Sequence, residues 1–401
     1  MTQPNTPPSA APSSYSPPTS TQTLKVAAAI ITALAGTAGY MVVPMVVAAL
    51  HQNHAQGLSE IWVGLVGSAD PAGMFVGAAI ALTPIVLARP RLSAFISLIA
   101  SLACNAASIA IAQGDQIALL LGLRLIAGAA SGVALAIGLA ELSAAAKPDR
   151  NFAIFTLTQM LFGATVAWLG AAGANGLGVI YQCVFAVQVA GAAAALLLRR
   201  RSAAAKTSHA KVRVDFRLAA FTAAANALSA GGFLMLWANI HPLATAHGLS
   251  DGDIVKLIDL GFFGGCAGTL ISMFGLERKH RRLTVIILFL IALAATLLIA
   301  APLGALILAL GVFLFQIAPA WAFFGFGAVS EADPSGRLPI IHILSVKAGF
   351  GLAPLAASIL IHTGGLNLVL IGTFVTLLIA TPLYQALLQR AESLKVSQTE
   401  T

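Results

Sequence analysis

The sequence predicts an all-α polytopic membrane protein, with twelve transmembrane helices arranged as two pseudo-symmetric six-helix bundles. Of its 401 residues, 58% are hydrophobic and only 9% charged, where an ordinary soluble domain carries about 25% charged residues. Apolar runs recur along nearly the whole chain, each long enough for the roughly 20-residue helix that a ~30 Å hydrocarbon layer requires. Residues 57–92 also align without a gap on 248–283, which divides the chain into halves. Strand alternation of the membrane-barrel kind is absent, so helices, which satisfy their own backbone, carry the spans.

Residues 1–23 hold six prolines and no charge, a composition that suits a disordered tail better than a signal peptide with a basic leading region. The first six-helix half occupies 24–198, with spans at 24–50, 60–86, 92–113, 116–143, 151–174 and 176–198. A polar linker, 199–215, opens with Arg199, Arg200 and Arg201. The second half, 216–390, has spans at 216–244, 252–275, 283–301, 303–329, 339–362 and 366–388, and 391–401 forms a closing tail. The ninth and tenth spans run together through Ala301 and Pro302, and only that proline marks a boundary there. Cys104, Cys183 and Cys266 fall inside spans at no metal or disulfide spacing, as buried small hydrophobes do.

Of the 22 Lys and Arg residues, nineteen fall on one side of this arrangement, from Lys25 through Arg89, Arg91, Lys147, Arg150, the linker cluster, the turn after span 8 and Arg337 to Arg390 and Lys395. By the positive-inside rule that side is cytoplasmic, and both termini lie there. The pI near 9.8 therefore reflects topology and contact with anionic headgroups, and calls for no nucleic-acid partner. Only Arg124, Lys256 and Lys347 remain within spans.

In the repeat, Gly57, Leu58, Ser59, Gly73, Gly77, Ile80, Arg91 and Leu92 recur, eight of the 36 aligned positions. The shared G-x-x-x-G and the shared basic turn are positional features, which gives the parallel-repeat layout of a transporter. The chain resembles the major facilitator superfamily (MFS) over nearly all of residues 24–390. Span 4, "LLLGLRLIAGAASG", resembles the R-x-x-x-G-x-x-x-G motif through Arg124, Gly128 and Gly132, and the resemblance implies a part for that arginine in a proton-coupled cycle. Between spans 2 and 3, "VLARPRL" keeps the basic Arg89 and Arg91 of the superfamily's gate motif but lacks its Asp and Gly. Span 5 lacks the Gly-Pro motif of antiporters. The loop "EADPSGRLP", with Arg337, resembles a turn found in bacterial members.

An ionisable group at the bilayer centre costs roughly 2.5–3.5 kcal/mol on insertion scales, so it faces a partner or a watery cavity. Asp70 stands before Pro71 in span 2, and is either a protonatable carboxylate or a group that patches the kink or pairs permanently with a cation. Arg124 stays charged, and it either holds a carboxylate or attracts an anion. Lys347 lies ~12 Å into span 11 at 1.5 Å per residue with no acid on its own helix within four residues, so it finds a partner elsewhere, faces a cavity as a candidate for binding the solute, or is neutral. Lys256 and Asp259 are three apart and can neutralise each other; Lys256 can also snorkel outward, and Asp259 can be shared with Lys347. Gln159, Asn226, Trp237, Asn239 and Gln316 are candidates for lining a solute site, against the plainer role of interhelical glue.

The expected activity is secondary active transport of a small organic solute by alternating access, proton-coupled through Asp70, Arg124 and Asp259, with export favoured and uptake by symport the alternative. A sensor or assembly subunit that keeps the fold without transporting is the alternative of another class, supported by the degenerate loop between spans 2 and 3. No nucleophile, metal or phosphate-loop constellation is present, so no enzyme, cofactor or metal is expected. The expected partners are the solute, protons and the lipid bilayer; the chain is expected as a monomer in the plasma membrane, a bacterial inner membrane on the motif resemblance.

Overall fold

In the computed structural model, the described residues are 20–54, 58–111, 116–145, 148–171, 176–198, 215–274, 280–333 and 337–399. Residues 1–19 of the expected leading tail, the linker 199–214 and the centre of the "EADPSGRLP" turn lie outside them. The described residues hold no strand, and they form 12 helical segments long and apolar enough to cross a membrane.

Most expected spans are one helix, and the exceptions have local causes. Span 1 divides into α1 (Ser20–Met41) and α2 (Val43–His54) just ahead of Pro44, whose ring cannot continue the ladder. Span 2 is α3 (Glu60–Ile80) followed by the short α4 (Pro84–Ala88). The next four spans are α5 (Pro90–Ile111), α6 (Ile117–Ser143), α7 (Pro148–Ala171) and α8 (Gly176–Ala195). Span 7 breaks after Trp237 into α9 (Phe216–Trp237) and α10 (Ile240–Ala246), and span 8 is α11 (Asp251–Phe274). The doubtful boundary is real: α12 (Arg281–Ala300) ends before Pro302, and α13 (Ala305–Ile317) begins after Gly304, whose φ of 90° is open to glycine. Pro319 then draws 318–320 into a 3-10 turn ahead of α14 (Trp321–Ala332). The last two spans are α15 (Arg337–Gly364) and α16 (Leu366–Thr399). α16 runs through most of 391–401, where a tail was expected.

Within the first half α6 packs on α1, α3 and α5, and α8 on α1 and α5. The second half repeats this with α13 on α11 and α12, and α16 on α9 and α12. The G-x-x-x-G pairs make these contacts possible. A Cβ on Gly73 or Gly77 would strike the backbone of Leu125 or Ala129 in α6, and one on Gly264 or Gly268 that of Phe313 or Ile317 in α13. Gly128 and Gly132 complete the first contact, lying against the backbones of Asp70 and Met74. Small residues let helix backbones approach where lipid offers no hydrophobic drive.

The halves meet along two seams, α3 against α15 and α7 against α11. On the first, Gly64 and Gly67 accept Pro354 and Ser358, and Gly351 lies against Ala72. Ser68 Oγ accepts the Leu355 N–H at 2.9 Å, beside the proline that disturbs the helix ladder. On the second, Gly163 lies against Phe262 and Gly265 against Met160. The halves also touch at both ends: α2 packs on α10 at one, and the Phe152 and Phe326 rings meet edge-on at 5.6 Å at the other. At that second end Asp215 caps α9 by accepting the Leu218 N–H at 2.7 Å. It also binds Arg390 at 2.6 Å, which holds its carboxyl below the usual range.

Candidate functional site

Asp70 and Arg124 face each other, which is the pairing alternative that the sequence offers for both. The guanidinium donates from Nε to Oδ2 and from Nη2 to Oδ1, both at 2.7 Å, the two-pronged geometry that suits a carboxylate. The side chains are 8% and 1% exposed. Arg124 Nη1 donates to Asn105 Oδ1, and the guanidinium lies 4.6 Å from the Tyr181 ring centroid. Asn105 Nδ2 donates to Gln188 Oε1 at 2.6 Å, and Gln188 Nε2 reaches the Ser101 and Ser131 hydroxyls. The pair is the centre of a buried network from α3, α5, α6 and α8, all within the first bundle.

The expected neutralisation of Lys256 by Asp259 is not what forms. Lys256 Nζ bonds Asp253 at 2.8 Å, with side chains 79% and 54% exposed. Lys256 is three residues from each acid, and the one nearer the helix end leaves its ammonium in water. Asp259 is left with Oδ1 buried and without a hydrogen-bond partner. It lies one turn before Phe262, on the face of α11 that meets α7.

Lys347 does not meet Asp259 either: among the described residues no carboxylate pairs with it. It is 7% exposed and stands one turn before Gly351, on the face of α15 that meets the first bundle. Its ammonium lies 4.0 Å from the Tyr40 ring centroid and 5.4 Å from that of Phe350. Those rings stack at 5.3 Å, and Phe350 continues to Phe233 and Phe315. Gln159 of α7 is buried, with its side chain near the Tyr40 hydroxyl. Lys347, Tyr40 and Gln159 thus converge where α1, α7 and α15 meet, a buried cation held by aromatic faces.

Gln316 is buried with Nε2 unpartnered, packed over Gly264 and Gly265. Asn226 serves a separate cluster inside the second bundle. It donates from Nδ2 to His342 Nδ1 at 2.9 Å, which makes that nitrogen the acceptor, and accepts from Tyr384 at 3.1 Å. A cavity of about 40 Å³ beside Asn226, Phe233, Trp321 and Phe350 has room for about one water. Trp237 and Asn239 are buried; Asn239 donates to Met235 of its own chain segment at 2.9 Å, and Trp237 meets Phe262 edge-on at 5.5 Å. Arg89 is exposed and Arg91 half-buried in the basic turn, and Arg337 opens α15 at the same end.

Tyr40, Asn105, Tyr181, Gln188 and Tyr384 escaped the sequence. A lone polar or aromatic residue in an apolar span carries no signal of its partner, although Asn105 and Gln188 were visible as uncharged mid-span groups.

No profile of a known protein family matches the chain, and no curated protein matches it. Among solved structures it is similar to the human organic anion transporter MFSD10 (TETRAN), with a TM-score of 0.68 and 14% identity over 92% of this chain and 100% of that one. Together with the 12 membrane-capable helices, this likeness shows the major facilitator fold.

Proposed function

We propose that the chain is a secondary active transporter that carries a small organic solute by alternating access, coupled to protons, with export the favoured direction. The observation that carries this reading is Lys347: a buried cation with no carboxylate among the described residues, placed where two bundles of a transporter fold meet. A fold needs no such group for stability, and intramembrane ionisable residues mark solute and ion pathways. The cation and the surrounding rings favour an acidic solute with an apolar body. The structural neighbour, named for organic anion transport, supports the same class.

For coupling, Asp259 is the acid we favour, because its Oδ1 has no partner to lose when a proton arrives. Asp70 is engaged by Arg124, so its protonation would disturb the whole first-bundle network. Gln159 and Gln316 are proposed to line the solute path beside Lys347, and export rests on the breadth of the superfamily the sequence resembles.

The test is flux in proteoliposomes holding an internal pH dye, challenged with aromatic and aliphatic monocarboxylates under an imposed pH gradient. The expected result is gradient-driven flux of at least one acid, lost in Lys347→Met and freed from the gradient in Asp259→Asn. Flux of every acid indifferent to the gradient and to both substitutions sinks the proposal.

A further inference from the structure

Tyr40 and Lys347 belong to different bundles, and their contact exists only while the bundles are together. Closing the seam buries the Lys347 ammonium to 7% exposure with no carboxylate beside it among the described residues. A bare charge taken out of water costs several kcal/mol unless something compensates it. Phe350 contributes a ring at 5.4 Å, but it is on the same helix as Lys347 and accompanies it in every state of the molecule. The Tyr40 face at 4.0 Å is the nearer ring, and it comes from the opposite bundle.

The placement of that ring is well determined. Tyr40 is the next-to-last residue of α1, immediately before the break that precedes α2. Its ring stacks on Phe350 at 5.3 Å. A desolvated ammonium over an aromatic face is attracted by the ring's negative face, which offsets part of what closure costs.

We propose that Tyr40 is the surrogate partner of Lys347 in the unloaded carrier: its ring takes the place of the solute's negative group and lets the two bundles close with the site empty. This rests on the transporter reading above and deepens it. A carrier that closes empty can return without a second solute and so perform net transport. One that cannot is confined to exchange for as long as Lys347 keeps its proton, because a bound anion is then what neutralises the buried ammonium.

The test needs no solute. The full chain, with Cys104, Cys183 and Cys266 replaced by Ala, is placed in lipid nanodiscs. Spin labels go on Ile61→Cys and Ala246→Cys at the α2–α10 end, or on Ala144→Cys and Ser393→Cys at the opposite end, all exposed positions. Distance distributions then report the open and closed populations of the empty protein. Tyr40→Leu is expected to raise the open-to-closed ratio about ten-fold at one end, a factor that corresponds to about 1.4 kcal/mol, while Tyr40→Phe, which keeps the ring, stays within about two-fold of the unsubstituted chain. With Lys347→Met in the background, Tyr40→Leu is expected to have no effect, since no charge is left to compensate. An unchanged ratio in Tyr40→Leu overturns the proposal. So does an equal shift with and without Lys347, which would assign the effect to packing on Phe350. Either failure leaves the transporter reading to the separate flux assay.

Discussion

Arg124 and Lys347 are both cations buried at mid-membrane, and the structure treats them oppositely. Arg124 is met by a carboxylate, an amide and a ring, all within one bundle, so its environment survives any movement of one bundle against the other. Among the described residues Lys347 has rings as partners and no carboxylate, and the nearer ring belongs to the other bundle. The first arrangement is that of a fixed internal pair, and the second fits the solute site proposed above. Asp70→Asn should therefore act first on stability, because it strands a guanidinium in the bundle interior. Breaking one partner of a buried pair costs about 3–5 kcal/mol, whereas replacing both by apolar groups is often near neutral. The expected outcome is a marked drop in the thermal unfolding midpoint for Asp70→Asn, largely recovered in Asp70→Leu/Arg124→Met. Full stability in the single variant would show instead that Arg124 is readily satisfied without the carboxylate. A pairing of Asp70 with a cation and of Arg124 with a carboxylate was legible as an alternative, because each charge must be resolved and few candidates exist. The partner of Lys256 was not, since Asp253 and Asp259 are equally spaced from it and solvent access decided between them.

At the scale of helices, the aligned G-x-x-x-G pairs correspond to the same packing in both halves, span 2 on span 4 and span 8 on span 10. This much of the fold was written in the sequence, because a helix pair that approaches by its backbones has to present small residues at fixed spacing. The halves differ at the next position. The repeat sets Gly261 opposite Asp70, and where the first bundle has its ion pair, Gly261 is covered by the Trp237 ring and Val312. Trp237, a ligand candidate from sequence, thus fills in the second bundle the place that charge occupies in the first. An alignment of one-dimensional positions could not show that substitution, since the filling side chain comes from another helix. The packing also sorts glycines that look alike. A Cβ at Gly77 would drive into the Ala129 carbonyl, while one at Gly122 meets nothing within 4 Å. Gly77→Val should lower the unfolding midpoint by the equivalent of about 1–3 kcal/mol or more, the usual cost of overpacking. Gly122→Ala should be neutral or stabilising by up to about 1 kcal/mol through helix propensity alone. Equal midpoints for the two variants would contradict the close α3–α6 contact.

The two halves touch at both ends, and the seam between them buries Lys347 with no carboxylate beside it among the described residues. Ser68 shows how the first seam is satisfied: its hydroxyl takes the Leu355 N–H beside Pro354. The repeat places Asp259 opposite Ser68, but α7, which it faces, contains no proline between Asp149 and Ala171 to loosen a backbone donor. The second seam therefore carries a half-buried acid whose Oδ1 has no hydrogen-bond partner among the described residues, where the first carries a satisfied hydroxyl, an asymmetry that suits the proposed cycle, in which the halves separate on one side at a time. If they do, a covalent tie at one end must stop the cycle. Phe152 and Phe326, in contact across the halves at 5.6 Å, are the positions to tie. Phe152→Cys/Phe326→Cys in a chain without its native cysteines should cross-link with a short bismaleimide in the empty state. Any gradient-driven flux should then fall to the level of protein-free vesicles, with each single-cysteine variant unaffected by the reagent. A cross-linked carrier that still transports at its former rate would mean that this end need not open, and that solute passes by some route other than rocking of the two bundles.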